Sequence, residues 1–214
     1  MKKILALLLV AATFVSFSAS AQDAKAKAVL DKVSAKFKSM SSLKANFALN
    51  MNDAKGKSKG TKNGTFLMKG NKYRVNMSGQ QIICDGKSVW TYLPANKEVQ
   101  ITSFDPNAQS ISPAKLFSGS YNNEYKSAYA GEKTIAGKKV DVIDMTPISA
   151  KSFKKVTLYI DKVSTMITGG IMYDKSGGSY GYTISGVAPN VKVTDTEFTF
   201  DPKRNPGVEV IDLR

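Results

Sequence analysis

The sequence predicts a mainly β protein with a leading helix: an antiparallel sheet of about eleven short strands, curved enough to approach a barrel. Three observations carry this. Period-two alternation of apolar and polar residues recurs from Phe47 to Phe200. Gly or Asn/Asp clusters separate many of the runs, as where Asp85-Gly86 joins Ile82-Ile83-Cys84 to Val89-Trp90-Thr91-Tyr92 in a hairpin pattern. The long stretch of helical period lies ahead of all of them, at Asp23 to Met40.

Ahead of the helix, residues 1–21 read as a signal peptide. Lys2 and Lys3 form a basic start, Ile4 to Phe17 an apolar stretch of 14 residues, and Ala19-Ser20-Ala21 a small-x-small cleavage pattern. Such a stretch is too short to span ~30 Å of hydrocarbon. Cleavage after Ala21 and a periplasmic mature chain, 22–214, are the expectation. No Cys follows the cleavage site, so the chain is not itself expected to be lipid-anchored.

In the helix, Ala26, Val29, Leu30, Val33, Phe37 and Met40 recur at spacings of three and four, with Lys25, Lys27, Lys32, Lys36 and Lys38 mostly on the other face. A narrow apolar stripe of this kind suits a helix lying on a sheet. A basic amphipathic helix can also lie on a membrane, but packing against its own core is the expectation here.

The strands follow in order. Phe47/Leu49/Met51, Phe66/Met68 and Tyr73/Val75/Met77 alternate with polar residues, and the Asp85-Gly86 hairpin comes next. Later runs centre on Tyr125/Ser127/Tyr129, Val140 to Met145, Val156/Leu158/Ile160, Met166 to Tyr173, Tyr180/Tyr182/Ile184 and Phe198/Phe200. One break stands out. Ser112-Pro113-Ala114-Lys115-Leu116-Phe117-Ser118-Gly119 has an N-cap Ser, Pro at the first helical position and a terminal Gly. It is either a cover for an open barrel end, through Leu116 and Phe117, or an ordinary crossover. No internal repeat or linker divides 22–214, so a single domain is expected.

Composition narrows the chemistry. With no His and one Cys in 214 residues, the chain lacks Ser-His-Asp and Cys-His nucleophile systems, His-rich zinc sites, CxxC pairs and intramolecular disulfides. Asp141 and Asp144 stand three apart on one strand and face opposite sides, so they do not pair. Cys84 sits in an apolar strand, where a free thiol acts as a small hydrophobe. An enzyme is therefore not expected, nor a cofactor or metal. Without Lys2 and Lys3, the 31 basic residues become 29 against 17 acidic, a net +12 for the mature chain. On an exported protein this charge points to anionic headgroups, acidic envelope polymers or solubility rather than to nucleic acid.

Seven Met remain after residue 21: Met40, Met51, Met68, Met77, Met145, Met166 and Met172. Any one of them is ordinary core filler. Together, on a half-closed sheet, these flexible polarizable side chains fit an apolar cavity for flexible ligands. An acyl chain of some 16 carbons exposes on the order of 10 kcal/mol of hydrocarbon to water, so a soluble carrier must hide it in a concave apolar site. Period-two alternation puts Tyr73, Val75 and Met77 on one face and Lys72, Arg74 and Asn76 on the other. The expected cavity wall is Phe66, Met68, Tyr73, Val75 and Met77, with Trp90 and Tyr92 from the next hairpin and Met145, Leu158 and Ile160 from later strands.

An ordered set of segments resembles the LolA and LolA-like family of periplasmic lipoprotein carriers. It comprises the leading helix, Ser42 to Phe47, Gly64 to Lys69, Asn71 to Val75, the Cys84 to Pro94 hairpin, Ser112 to Phe117, Asp144 to Pro147, and Phe198 to Pro202 with Pro206 to Asp212. The likeness covers nearly all of 22–214. It implies an incomplete antiparallel barrel wrapped over the helix and a short helical lid (Pro113, Leu116, Phe117), enclosing an apolar cavity. It also implies acylated lipoproteins as cargo, taken from an inner-membrane ABC release complex and delivered to an outer-membrane receptor or the membrane itself, by a monomer. A lipid-binding periplasmic sensor or regulator on the same fold is the alternative. One departure concerns the lid. Gly70 stands where the best-known carriers have a lid-locking Arg, leaving Lys69, Lys72 and Arg74 as the nearest substitute donors.

Overall fold

The computed structural model describes residues 23–105 and 124–214. The helix α1 covers residues 23–38 and ends in a turn, with Ser39 N–H donating to Ala35 O at 3.1 Å and Ser39 Oγ to Lys36 O at 2.7 Å. Twelve strands follow among the described residues: β1 (Leu43–Asn52), β2 (Ser58–Lys69), β3 (Lys72–Met77), β4 (Gln80–Cys84), β5 (Ser88–Leu93), β6 (Glu98–Ser103), β7 (Tyr125–Ile135), β8 (Lys138–Pro147), β9 (Phe153–Asp161), β10 (Ile167–Asp174), β11 (Ser179–Pro189) and β12 (Glu209–Asp212). All belong to one sheet in the order β12-β6-β5-β4-β3-β2-β1-β11-β10-β9-β8-β7. The sheet is open, with β12 and β7 as its edges. Neighbours are antiparallel except β12, which pairs with β6 in parallel.

Among the described residues the expected large antiparallel sheet around the leading helix is what forms, with two strands added to the inventory and one lost. Glu98–Ser103 and Glu209–Asp212 are strands in addition to those expected. Phe198/Phe200 is not a strand: Asp195–Phe198 is a 3₁₀ turn. This stretch lies on the outer face of β3–β5, where the sheet offers side chains instead of free backbone groups. It is held there by Arg74, whose Nε donates to Glu197 O at 2.6 Å and Nη2 to Thr199 O at 3.2 Å. Lys69 and Lys72 pair with Asp195 at 3.2 and 2.8 Å. The three cations nearest Gly70 thus hold the C-terminal segment.

Each apolar residue of the α1 stripe is used. Ala26, Leu30, Val33 and Phe37 are buried, and Val29 and Met40 pack against the same cluster. Their partners come from one face of the sheet: Leu43 and Ala45 of β1, Phe66 of β2, Tyr73 and Val75 of β3, Ile143 and Met145 of β8, and Val156, Leu158 and Ile160 of β9. One face supplying a single cluster from strands as far apart as β3 and β8 requires the sheet to curl around α1. The helix start is fixed at the β7 edge. Lys25 Nζ lies 3.7 Å from the centroid of the Tyr129 ring, and the Tyr129 hydroxyl donates to Asp141 at 2.9 Å.

A smaller cluster occupies the outer face. Ile83, Val99, Ile101 and Phe198 are buried there, and Tyr92 and Phe200 meet with ring centroids 5.1 Å apart.

Candidate functional site

Register decides which side chains share the inner face. Opposed residues of adjacent strands point the same way, so Leu43↔Met68↔Tyr73↔Cys84↔Val89 and Ala45↔Phe66↔Val75↔Ile82 form inward rows. A third row, Phe47↔Gly64↔Met77, continues toward the end of the sheet where β1 turns into β2. Across β1, Phe47 opposes Ile184, Leu49 opposes Tyr182 and Met51 opposes Tyr180; Tyr182 and Tyr180 in turn oppose Gly170 and Met172 of β10.

Burial falls along this face. Under α1 the rows are closed: Phe66, Tyr73, Val75, Met145, Leu158 and Ile160 are at most 5% exposed. Toward the β1–β2 turn, Phe47, Leu49, Met51, Met77, Met172 and Tyr182 are half-buried. The apolar surface therefore outruns the helix that covers it. This half-buried strip is the candidate site.

The expected wall divides accordingly. The structure brings Phe66, Met68, Tyr73, Val75, Met77, Met145, Leu158 and Ile160 to one face, six of them in the closed core and Met68 and Met77 half-buried at its margin. Trp90 and Tyr92 do not join them. Cys84 opposes Val89, so Val89 takes the inward direction, whereas Trp90 opposes Ile83 and Ile101 on the outer face and Tyr92 packs on Phe200. The Ser112–Gly119 segment, with Pro113, Leu116 and Phe117, lies outside the described residues.

Alternation alone did not single out two glycines that shape the strip. A Cβ on Gly64 would stand 2.5 Å from Phe47 Cζ and 2.4 Å from Asn76 O. One on Gly170 would stand 2.6 Å from Tyr182 Oη and 2.3 Å from Thr157 O. Each ring lies down over the glycine directly opposite it, so aromatic faces pave the strip at low height. An aromatic opposite a glycine in two paired strands was the sequence signal, legible only once register was known.

The polar groups at the margins are structural. Asp144 accepts from Thr157 at 2.6 Å and Lys155 at 3.0 Å on the outer face, whereas Asp141 serves Tyr129 on the inner one, so the two carboxylates do face opposite ways. Burial, then the bond to Asp141, pushes the Tyr129 hydroxyl well above the usual phenol range. Burial pushes Tyr73 up to about 12, with Cys84 adding to it, and raises the Cys84 thiol, which accepts from Gly86 N–H at 3.3 Å. A buried, protonated thiol is not a nucleophile. Among the described residues no group of three or more His, Cys, Asp or Glu could hold a metal, and no helix is long and apolar enough to cross a membrane. Gly70 has φ +58 at the first position of the two-residue β2–β3 turn, the pattern of a type II′ turn that calls for glycine there.

An open antiparallel sheet curled around one N-terminal helix, with an apolar strip continuing past the helix, defines a class of half-barrel proteins with an apolar inner face. The chain belongs to the family described as outer membrane lipoprotein carrier protein LolA, whose model matches residues 38–201. Two solved structures agree on the fold, and a third shows a likeness alone. An uncharacterized conserved protein from Thermus thermophilus is similar at TM-score 0.61 and 14% identity, over 88% of this chain and 99% of that one. A putative outer membrane lipoprotein-sorting protein domain from Vibrio parahaemolyticus is similar at TM-score 0.50 and 14% identity, over 83% and 97%. A LolA superfamily protein from Nitrosomonas europaea is similar at TM-score 0.47 and 18% identity, over 83% and 98%. A comparison with curated proteins finds no match.

Proposed function

We propose that this protein is an extracytoplasmic carrier that shields the acyl chains of lipoproteins on the inner face of its sheet and ferries them from the inner to the outer membrane. The observation that supports this most directly is the half-buried strip around Phe47, Leu49, Met77, Met172 and Tyr182, contiguous with the core and paved by rings and thioethers. An acyl chain laid there exchanges water for hydrocarbon at about 0.8 kcal/mol per methylene. The adaptable Met side chains accommodate chains of differing length. Cargo in this reading is the acylated N-terminus of lipoproteins, received from an inner-membrane ABC release complex, and the family match and the predicted signal peptide both favour that route.

Native mass spectrometry of the protein purified from cell envelope tests the reading. Co-purifying acylated polypeptides are the expected result. Envelope-purified protein that carries no acylated species and shows no saturable uptake of a fluorescent fatty acid would overturn it.

A further inference from the structure

The positive charge of this chain is not spread evenly. The β1–β2 hairpin, with turn residues 53–57, carries Lys55, Lys57, Lys59 and Lys62, and the β10–β11 hairpin beside it carries Lys175. The two tips touch: a Cβ on Gly177 would stand 3.0 Å from Ala54 Cβ, and one on Gly178 3.0 Å from Asn52 O. Their acids are engaged locally. Asp53 accepts from the backbone N–H groups of Lys55 and Lys57 at 3.0 and 2.9 Å and pairs with Lys59 at 3.3 Å; Asp174 accepts from Ser176 N–H at 2.7 Å. Lys55, Lys57, Lys62 and Lys175 are all exposed and make no ion pair among the described residues.

On its inner side the same hairpin carries Phe47, Leu49 and Met51 of β1. Lys62 opposes Leu49, and Gly60 opposes Met51, so one lysine stands beside the apolar strip on the same face. A cationic tip contiguous with a half-buried apolar face is the arrangement that suits a membrane interface, where lysines meet headgroups and apolar side chains face the acyl layer.

We propose that the paired tips of the β1–β2 and β10–β11 hairpins dock this protein on an anionic phospholipid bilayer, with Lys55, Lys57, Lys62 and Lys175 against the headgroups. Docking this way turns the open end of the apolar strip toward the bilayer. It rests on the carrier reading for its use, but the contact itself needs only the charges and their placement. Each lysine near an anionic surface contributes about fivefold in affinity, so the four together contribute several-hundred-fold, falling as salt rises.

Sedimentation with lipid vesicles tests it. The full-length mature protein should pellet with vesicles containing one third phosphatidylglycerol and not with pure phosphatidylcholine, and high salt should release it. Replacing Lys55, Lys57, Lys62 and Lys175 with Gln should cost at least a hundredfold. A charge-matched variant with Lys32, Lys36, Lys38 and Lys133 replaced by Gln should keep most of the binding. Equal losses in the two variants would mean net charge alone is responsible, and absence of binding to anionic vesicles would overturn the proposal outright. Displacement of the wild-type protein from vesicles by soluble polygalacturonate, with tighter binding to that polymer, would assign the hairpins to an acidic polysaccharide instead. Fatty-acid probe uptake should be unchanged in a variant with only Lys55, Lys57 and Lys175 replaced by Gln; loss of vesicle binding with uptake intact separates failure of docking from failure of the carrier reading.

Discussion

The Tyr182 ring fills the place where a side chain on Gly170 would stand, with a Gly170 Cβ falling 2.6 Å from Tyr182 Oη and 2.8 Å from Cζ. The two residues face each other across β10 and β11, and the ring lies down along the sheet because its partner has no side chain. The same pairing of Phe47 with Gly64 repeats this on the other side of β1. Aromatic area is thereby added to the inner face without building it up toward α1.

Gly170→Ala should accordingly destabilise the protein, because the new methyl meets Thr157 O at 2.3 Å as well as the ring. Overpacking of this kind costs about 1–3 kcal/mol. Chemical denaturation should show it as a lower midpoint with an unchanged slope, and an unaltered midpoint would mean the backbone yields.

Stability and binding should separate along the face. Leu158→Ala, in the closed core at 0% exposure, should cost about 2–5 kcal/mol. Leu49→Asp with Met51→Asp, on the half-buried strip, should lower fatty-acid probe affinity at least tenfold with a smaller loss of stability. The check is a melting curve and a probe titration on each variant. Equal affinity per folded molecule in wild type and the Leu49/Met51 double variant would remove the strip from the site.

Arg74→Ala should loosen the C-terminal segment. It removes two hydrogen bonds from a guanidinium to Glu197 O and Thr199 O, and charged bonds of this type contribute about 1.5–3 kcal/mol each. Limited proteolysis should then cut between residues 190 and 208 faster than in the wild type, while cleavage elsewhere stays unchanged. Lys69→Ala, which removes an exposed ion pair with Asp195, should have a much smaller effect.

Stability should fall in acid partly through Asp161. Its carboxylate accepts from the N–H groups of Val163 and Ser164 at 2.8 and 3.0 Å in the β9–β10 turn, and the Ser164 bond is the main cause holding its pKa below the ordinary range. A depressed folded pKa means the unfolded chain binds the proton more tightly. The contribution is thus full above the unfolded value near 4 and is lost as pH falls toward the folded value. Denaturation midpoints of wild type and Asp161→Asn, measured from neutral pH to about pH 3, should converge at the acid end. Parallel curves would assign the acid loss to other groups.

What the amino-acid order determined alone was local periodicity. The α1 stripe of Ala26, Leu30, Val33 and Phe37 is a matter of 3.6-residue spacing, and all four are buried. Tyr73, Val75 and Met77 share a face because strand side chains alternate, and Arg74 takes the other side for the same reason. The fold class follows, since a dozen such runs with turn residues between them can bury their apolar faces only in a sheet wrapped on itself. Glu98–Ser103 follows the same rule, for Val99 and Ile101 alternate there too.

Tertiary structure decided phase and cover. Alternation says that Val89 and Trp90 face opposite ways but not which one faces in. That depends on register across the Asp85–Lys87 turn, where Cys84 opposes Val89, and a slip of one residue would have reversed it. Phe198 and Phe200 look like strand residues locally, yet what holds this stretch, Arg74 on the carbonyls of Glu197 and Thr199 and Tyr92 on the Phe200 ring, is more than a hundred residues away on the outer face of the sheet. The reach of α1 was equally invisible in its own sequence. Where Lys25 meets Tyr129 fixes one end and the turn into Leu43 fixes the other, and between them the helix closes over Val75 and Leu158 while leaving Phe47 and Met77 half-buried. An inward apolar residue becomes core or candidate binding surface according to whether another element lies over it, and that is set by long-range packing, which no local pattern encodes.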